Sequence, residues 1–227
     1  MQNHHRRRGK IRGFAGNMGS GKTSRLIGVA YEPSKQASGV IFLQPPEANR
    51  ADTKTRVESR IHARYEGAIP VTTPADIARE VRATRARNIF LEEIQFFGKD
   101  EAMINEFQKL MLELRDEGYN IYWSGLPLDF RGDPFEVVAF MMALSGVLEM
   151  LQVECAHCQA VPAPLPQRLE FNQPVPHGHP RFLADTSEHN NAGITYEPRC
   201  EGCHIVLDDW NTHSRAIHDA LQAQKPA

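Results

Sequence analysis

The chain alternates short runs of apolar or small residues with longer stretches in which apolar residues recur every three or four positions. Short unbroken runs suit strands buried on both faces, and the longer period suits helices with one apolar face. IRGFAG (11–16), GVIFLQP (39–45), NIFLEE (88–93) and YNIYWSGL (119–126) therefore predict strands. TSRLIGVAYEPSK (23–35) predicts a helix. Pro74 opens another that reaches about Arg85, with Asp76 in its first turn complementing the helix dipole. Met103, Ile104, Phe107, Leu110, Met111 and Leu114 stand at helical spacing within 101–118, and Gly118 ends that run. A further helix begins at Pro134 and Phe135 and extends to about Glu149. Glu47 to Gly67 is polar, rich in arginine and without a period, which predicts a loop. Strands alternating with helices imply an α/β fold, a mostly parallel sheet with helices on both faces.

The pattern changes near Leu151. Pro162, Pro164, Pro166, Pro174, Pro176 and Pro180 crowd the next stretch, and periodicity returns only in a short C-terminal helix expected near 206–222. The expected organisation is an α/β domain over 1–150, a small second domain over 151–206, and a C-terminal helix and tail over 207–227.

Bulk composition narrows the setting without naming a chemistry. The 227 residues are 41% hydrophobic and 24% charged, ordinary values for a water-soluble fold. A formal net charge of −2 exerts no general pull on nucleic acid or on an anionic membrane. The basic cluster Arg6, Arg7, Arg8 and Lys10 is local and reads as a solvated tail beside the first strand. No apolar run reaches the roughly 18 residues of a membrane span, and the first residues lack an apolar signal region. A cytoplasmic protein with neither a membrane nor a nucleic-acid partner is the expectation.

The four cysteines fall into two C-x-x-C pairs, Cys155/Cys158 and Cys200/Cys203, with none left over. In a reducing compartment such pairs are metal ligands more often than disulfides, and four thiolates suit a closed tetrahedral Zn²⁺ site. His157 and His204 stand next to the pairs as possible replacement ligands. The long stretch between the pairs would make the metal a clamp on a loop.

Gly16 to Thr23, GNMGSGKT, fits the phosphate-loop pattern G-x-x-x-x-G-K-[ST] at every position. Gly16, Asn17, Met18, Gly19, Ser20 and Gly21 would turn the backbone so that successive N–H groups face phosphate oxygens. Lys22 would reach the terminal phosphates, and the Thr23 hydroxyl would ligate Mg²⁺. A helix starting after Gly21 directs its positive end to the same place. A nucleoside triphosphate, ATP with Mg²⁺, is the ligand this motif predicts.

Such a loop needs a carboxylate on a nearby strand end, and the run NIFL ends in Glu92 and Glu93. Side chains alternate along a strand, so one glutamate would face the metal and phosphates while the other faces a pocket. The second could accept a proton from an attacking hydroxyl. Phe96 and Phe97 follow closely, and their planar faces suit a stacked base.

GNMGSGKT, LEEIQFF (91–97), SGLPLDFRGDPF (124–135), ECAHC (154–158) and TYEPRCEGCH (195–204) occur in this order. Together they resemble the type II thymidine kinases, zinc-containing tetrameric deoxynucleoside kinases, from about Ile11 to His204. The resemblance implies transfer of the γ-phosphoryl group of ATP to the 5′-hydroxyl of thymidine or deoxyuridine. It implies Glu93 as catalytic base, Glu92 as the Mg²⁺-linked carboxylate, and Lys22 and Arg50 on the phosphate side. Met18, Phe96, Leu126 and Phe130 would line the pocket around thymine, and Tyr196 would belong to a lasso loop closing over the nucleoside. VESRI (57–61) resembles the family's lid segment. A homotetramer is implied by the same resemblance.

Three positions depart from the family pattern. Glu92 replaces the commoner aspartate, Ala48 stands where many members carry aspartate, and Pro166 stands at a lasso position usually held by threonine. The lasso, with His177, His179 and the NNAG segment, is also longer than usual. Two other readings are a P-loop ATPase whose zinc module docks a protein or nucleic acid, and a zinc-ribbon binder that only senses nucleotide. The first predicts hydrolysis indifferent to nucleosides, and the second predicts that Glu93→Gln leaves function intact.

Overall fold

The computed structural model describes residues 8–48, 56–58, 63–183 and 193–208. These residues form two compact units. One is built from the described parts of Met1–Gly16, Gly21–Pro127 and Phe135–Leu151, and the other from those of Asn17–Ser20, Leu128–Pro134 and Gln152–Ala227.

The first unit is a six-stranded sheet whose strand pairs all run parallel. Its strands are β1 (Ile11–Gly16), β2 (Val40–Gln44), β5 (Ile69–Pro70), β6 (Asn88–Leu91), β7 (Asn120–Gly125) and β8 (Val147–Leu151), in the order β5-β2-β6-β7-β1-β8. Between β2 and β5 a separate hairpin pairs β3 (Arg56–Glu58) with β4 (Arg64–Glu66). The helices are α1 (Lys22–Ala30), α2 (Pro33–Ala37), α3 (Pro74–Ala83), α4 (Glu101–Asp116) and α5 (Glu136–Leu144).

Register explains how the sheet buries its faces. Phe42 lies opposite Phe90, and Phe90 opposite Tyr122, so three aromatic rings align across adjacent strands. Their centroids are 5.7 and 4.5 Å apart, and Phe14, Leu26 and Ile27 close the same cluster beneath α1. On the opposite face the Trp123 ring covers Gly13, where a Cβ would come within 2.3 Å of it. Trp123 Nε1 donates to Ser145 Oγ at 2.9 Å, tying β7 to the end of α5. Glycine at position 13 is thus required by a close approach rather than by a turn.

Four segments differ from the sequence expectation. The helix over 23–35 is two helices, because Pro33 lacks an N–H and holds the preceding Glu32 in an extended conformation at ψ 132°. The helix expected to reach Glu149 ends at Leu144, and 147–151 is strand β8, paired with β1 from Arg12↔Val147 to Gly16↔Leu151. Local sequence in ALSGVLEML suits either form; pairing with β1 and the Glu149 ion pairs to Arg12 and Arg25 decide it. The expected loop over 47–67 contains the β3–β4 hairpin, anchored where Tyr65 stacks on Phe42 at 4.7 Å. Strand β6 stops at Leu91, before the two glutamates.

The second unit has a three-stranded antiparallel sheet, β10 (Gln173–Pro174), β9 (Leu165–Glu170) and β11 (Ile194–Arg199), in the order β10-β9-β11. Register places Tyr196 opposite Arg168 and Pro198 opposite Pro166. Of the C-terminal helix expected near 206–222, residues 206–208 are not helical and the rest lies outside the described residues. No helix among the described residues is long and apolar enough to cross a membrane.

Candidate active site

In the first unit, β1 delivers the chain to Gly16, and α1 begins at Lys22 with Gly21 as its N-cap. Gly19 and Gly21 have φ of 80° and 92°, the left-handed region that glycine enters without strain. No acidic residue in the first turn of α1 neutralises its positive end. Lys22 is buried.

Thr23 is the next residue of α1. Its hydroxyl donates to Glu92 Oε1 at 2.5 Å, while Ser124 Oγ donates to Glu92 Oε2 at 2.5 Å. The Glu92 N–H is itself held by the Leu43 carbonyl at 3.0 Å. The carboxyl is 3% exposed, and burial, followed by the neighbouring Glu93, pushes its pKa up to about 7; the two hydroxyls and Lys22 pull the other way. A buried carboxylate and hydroxyl clasped together beside a lysine form a hard-oxygen pair suited to a small divalent cation.

Glu93 does not follow the alternation expected of a strand. It lies one residue beyond Glu92 in a left-handed conformation (φ 46°, ψ 55°), where it caps the 3₁₀ turn Ile94–Phe97. That turn, not a strand pleat, separates the two carboxylates. The Glu93 N–H donates to Ser124 Oγ at 3.3 Å, so one serine serves both glutamates. Gln95, which the sequence reading passed over, donates from Nε2 to Glu93 Oε2 at 2.6 Å and accepts the Leu126 N–H at 3.2 Å through Oε1. The aromatic pair divides: Phe97 is fully buried and stacks on Phe107 at 5.7 Å as core, whereas Phe96 and Leu126 are half-buried.

In the second unit, Asn17 Oδ1 accepts the Met18 N–H at 2.8 Å, and Asn17 Nδ2 donates to the Ala163 carbonyl at 2.9 Å. Asn17 and Met18 are buried. Phe130 is buried too, beneath the guanidinium of Arg168, which sits 4.1 Å from its ring centre and 5.1 Å from that of Tyr196. Arg168 is 3% exposed, and desolvation lowers its pKa, yet it has acceptors on several sides. Nη1 donates to His179 Nδ1 at 3.0 Å and to the Pro180 carbonyl, and Nη2 donates to the Arg181 carbonyl at 2.7 Å. Asp129 accepts the N–H groups of Arg131 and Asp133 and pairs with Arg181 at 3.0 Å. Arg168 gives no signal in the sequence because a charged residue in a proline-flanked strand looks solvent-facing, and Asp129 and Arg181, which lie outside strands, are paired only by the fold.

The Sγ atoms of Cys155, Cys158, Cys200 and Cys203 all lie within 4.8 Å of one another, and Cys158 and Cys200 are 3.6 Å apart. Tetrahedral thiolates at Zn–S of about 2.3 Å stand about 3.8 Å apart, so this set fits zinc. The Cys200 carbonyl accepts the N–H groups of Cys203 and His204 at 3.0 Å each, folding that pair into a tight turn. His204 Nε2 bonds to the Phe130 carbonyl at 2.9 Å, and the four converging thiols complete a tetrahedral set without a histidine. Arg50 and most of the VESRI segment lie outside the described residues.

Among solved structures, domain III of the Thermotoga maritima replication initiation protein DnaA matches at 15% identity with a TM-score of 0.38, covering 65% of this chain. The chain spans 57% of that chain's length. A family model described as thymidine kinase matches residues 9–204, from the start of β1 through the last cysteine pair. The P-loop, the Glu92–Glu93 turn and the four-cysteine cluster all fall inside that match. The chain therefore belongs to the thymidine kinase family, enzymes that phosphorylate nucleosides in salvage.

Proposed function

We propose that this enzyme transfers the γ-phosphoryl group of ATP to the 5′-hydroxyl of thymidine, and of deoxyuridine. The observation that carries the reading is the family match over residues 9–204, with Glu93 set one residue beyond the carboxyl that grips the P-loop threonine. Backbone N–H groups of Gly16, Asn17, Met18, Gly19, Ser20 and Gly21 hold the triphosphate, and Lys22 offsets charge on its terminal phosphates. Thr23 and Glu92 hold Mg²⁺, which when bound neutralises phosphate charge. Glu93 accepts the proton as the 5′-oxygen forms its bond to the γ-phosphorus and the bond to the ADP oxygen breaks. Arg50 adds positive charge on the phosphate side. Met18, Phe96, Leu126, Phe130 and Tyr196 supply the nucleoside contacts that the family resemblance implies.

Zinc held by the four cysteines restrains the proline-rich chain between them before substrate arrives, which reduces the ordering cost of binding. We further propose that the enzyme works in the cytoplasm as a homotetramer, with the domain organisation expected from sequence. The deciding experiment incubates the protein with ATP and a panel of thymidine, deoxyuridine and deoxycytidine. Thymidine monophosphate and ADP should form in equal amounts. Hydrolysis of ATP that ignores every nucleoside would instead favour an ATPase with a docking module.

A further inference from the structure

We infer that Gln95 is a positioning residue for the catalytic carboxylate, and this rests on the reading of Glu93 as the base. Gln95 is 4% exposed and its carboxamide is used at both ends. The Leu126 N–H, 3.2 Å from Oε1, requires an oxygen at that end. The amide therefore cannot flip, and Nε2 must present its hydrogens to Glu93 Oε2, 2.6 Å away. Glycine at position 125 makes room for this: a Cβ there would stand 3.3 Å from Gln95 Oε1 and 3.0 Å from Ile94.

The consequence is geometric. Glu93 sits in a left-handed turn rather than in a strand, so the direction of its carboxyl is not set by a sheet pleat. The locked carboxamide fixes one of its oxygens against β7, whose end carries Leu126. The base and that pocket residue are then held by one side chain, so the distance between the proton acceptor and the wall beside the acceptor hydroxyl is set before substrate binds. Misplacement by about 1 Å costs on the order of a hundredfold in turnover.

The test uses the full-length zinc-loaded enzyme with Gln95→Met, which keeps volume and removes the donor, and Gln95→Glu, which keeps an oxygen for Leu126 but replaces the donor. Each should lower kcat on the order of a hundredfold, with KM for ATP within about twofold of the parent. In a Glu93→Gln background Gln95→Glu should not lower kcat further, because it keeps the oxygen for Leu126 and removes only the donor to Glu93. A large loss in Glu93→Gln with near-parental kcat in both Gln95 variants overturns this inference alone. Equal proportional losses from Gln95→Glu in the two backgrounds also overturn it, since they would show a packing effect. Near-parental kcat in Glu93→Gln overturns the base reading and this inference together. Should Gln95→Met fail to fold, Gln95→Glu carries the same comparison.

Discussion

Thr23 and Glu92, 69 positions apart in the chain, share a 2.5 Å hydrogen bond in which the hydroxyl donates to the carboxyl. The contact joins the first turn of α1 to the end of β6, so the phosphate loop and the carboxylate strand are fixed at one point. Removing the charge while keeping the shape isolates what that point does. With Glu92→Gln the Mg²⁺ concentration for half-maximal activity should rise about tenfold or more. The fold should survive, because burial already disfavours the charged form of Glu92. A magnesium titration of turnover checks this; an unchanged requirement would detach Glu92 from the metal.

Arg168 is the second point of fixation, within the proline-rich unit. Replacing it by Met would leave His179 Nδ1 and the carbonyls of Pro180 and Arg181 without the donor they share. His179 is buried, so its orphaned nitrogen costs about 1–3 kcal/mol, and the two carbonyls, which water can reach, add less. Arg168→Lys should not rescue, because an ammonium cannot fork to several acceptors while lying flat on Phe130 and Tyr196. Thermal denaturation reports the stability. The thymidine KM should rise in both variants more than the ATP KM, and equal rises would place the effect elsewhere.

The difference between what could and could not be read from sequence follows from range of interaction. Strands β1, β2 and β7 announce themselves through apolar runs of the right length, and Gly118 and Pro74 mark helix ends by backbone chemistry alone. Strand β8 does not, since VLEML becomes a strand only by pairing with β1. Glu92 and Glu93 are legible as a pair, but the left-handed turn between them is set by packing of the 3₁₀ segment, including fully buried Phe97. Gln95 and Arg168 gave no local signal, because what defines each is a partner more than ten positions away or on another strand.

The cysteine cluster predicts about one zinc ion per chain. Thiolates bind the metal only when deprotonated, so chelator at mildly acidic pH should release it most readily. The expected outcome is a larger loss of affinity for thymidine than for ATP, since Lys22, Thr23 and Glu92 belong to the other compact unit while only Asn17–Ser20 of the phosphate loop belong to the unit that holds the cysteines. Elemental analysis beside binding measurements with each ligand tests this. Freshly purified protein without metal, or equal loss of both ligands, would remove zinc from its role as a restraint on the nucleoside side.

The start of α3 makes a prediction about acid stability. Thr73 Oγ1 accepts the Asp76 N–H at 3.2 Å while Asp76 Oδ2 accepts the Thr73 N–H at 3.0 Å, a reciprocal capping box. The Arg79 guanidinium first, and Thr73 next, hold the Asp76 pKa down at about 2 from an ordinary 3.8. A depressed carboxylate contributes stability that is fully present above the unfolded value and is lost as pH falls through the folded one. Asp76→Asn should therefore be destabilised relative to the parent by the same margin at pH 7 and pH 5, and by a smaller margin near pH 3. Release of metal in acid affects both proteins alike, so the difference isolates the cap. Thr73→Ala should cost about 1 kcal/mol at pH 7, and its margin should change less between pH 5 and pH 3 than that of Asp76→Asn, because Arg79 still holds the Asp76 carboxyl down. Denaturant unfolding at the three pH values decides it: a margin that stays constant down to pH 3 would mean that shape, not charge, makes the cap.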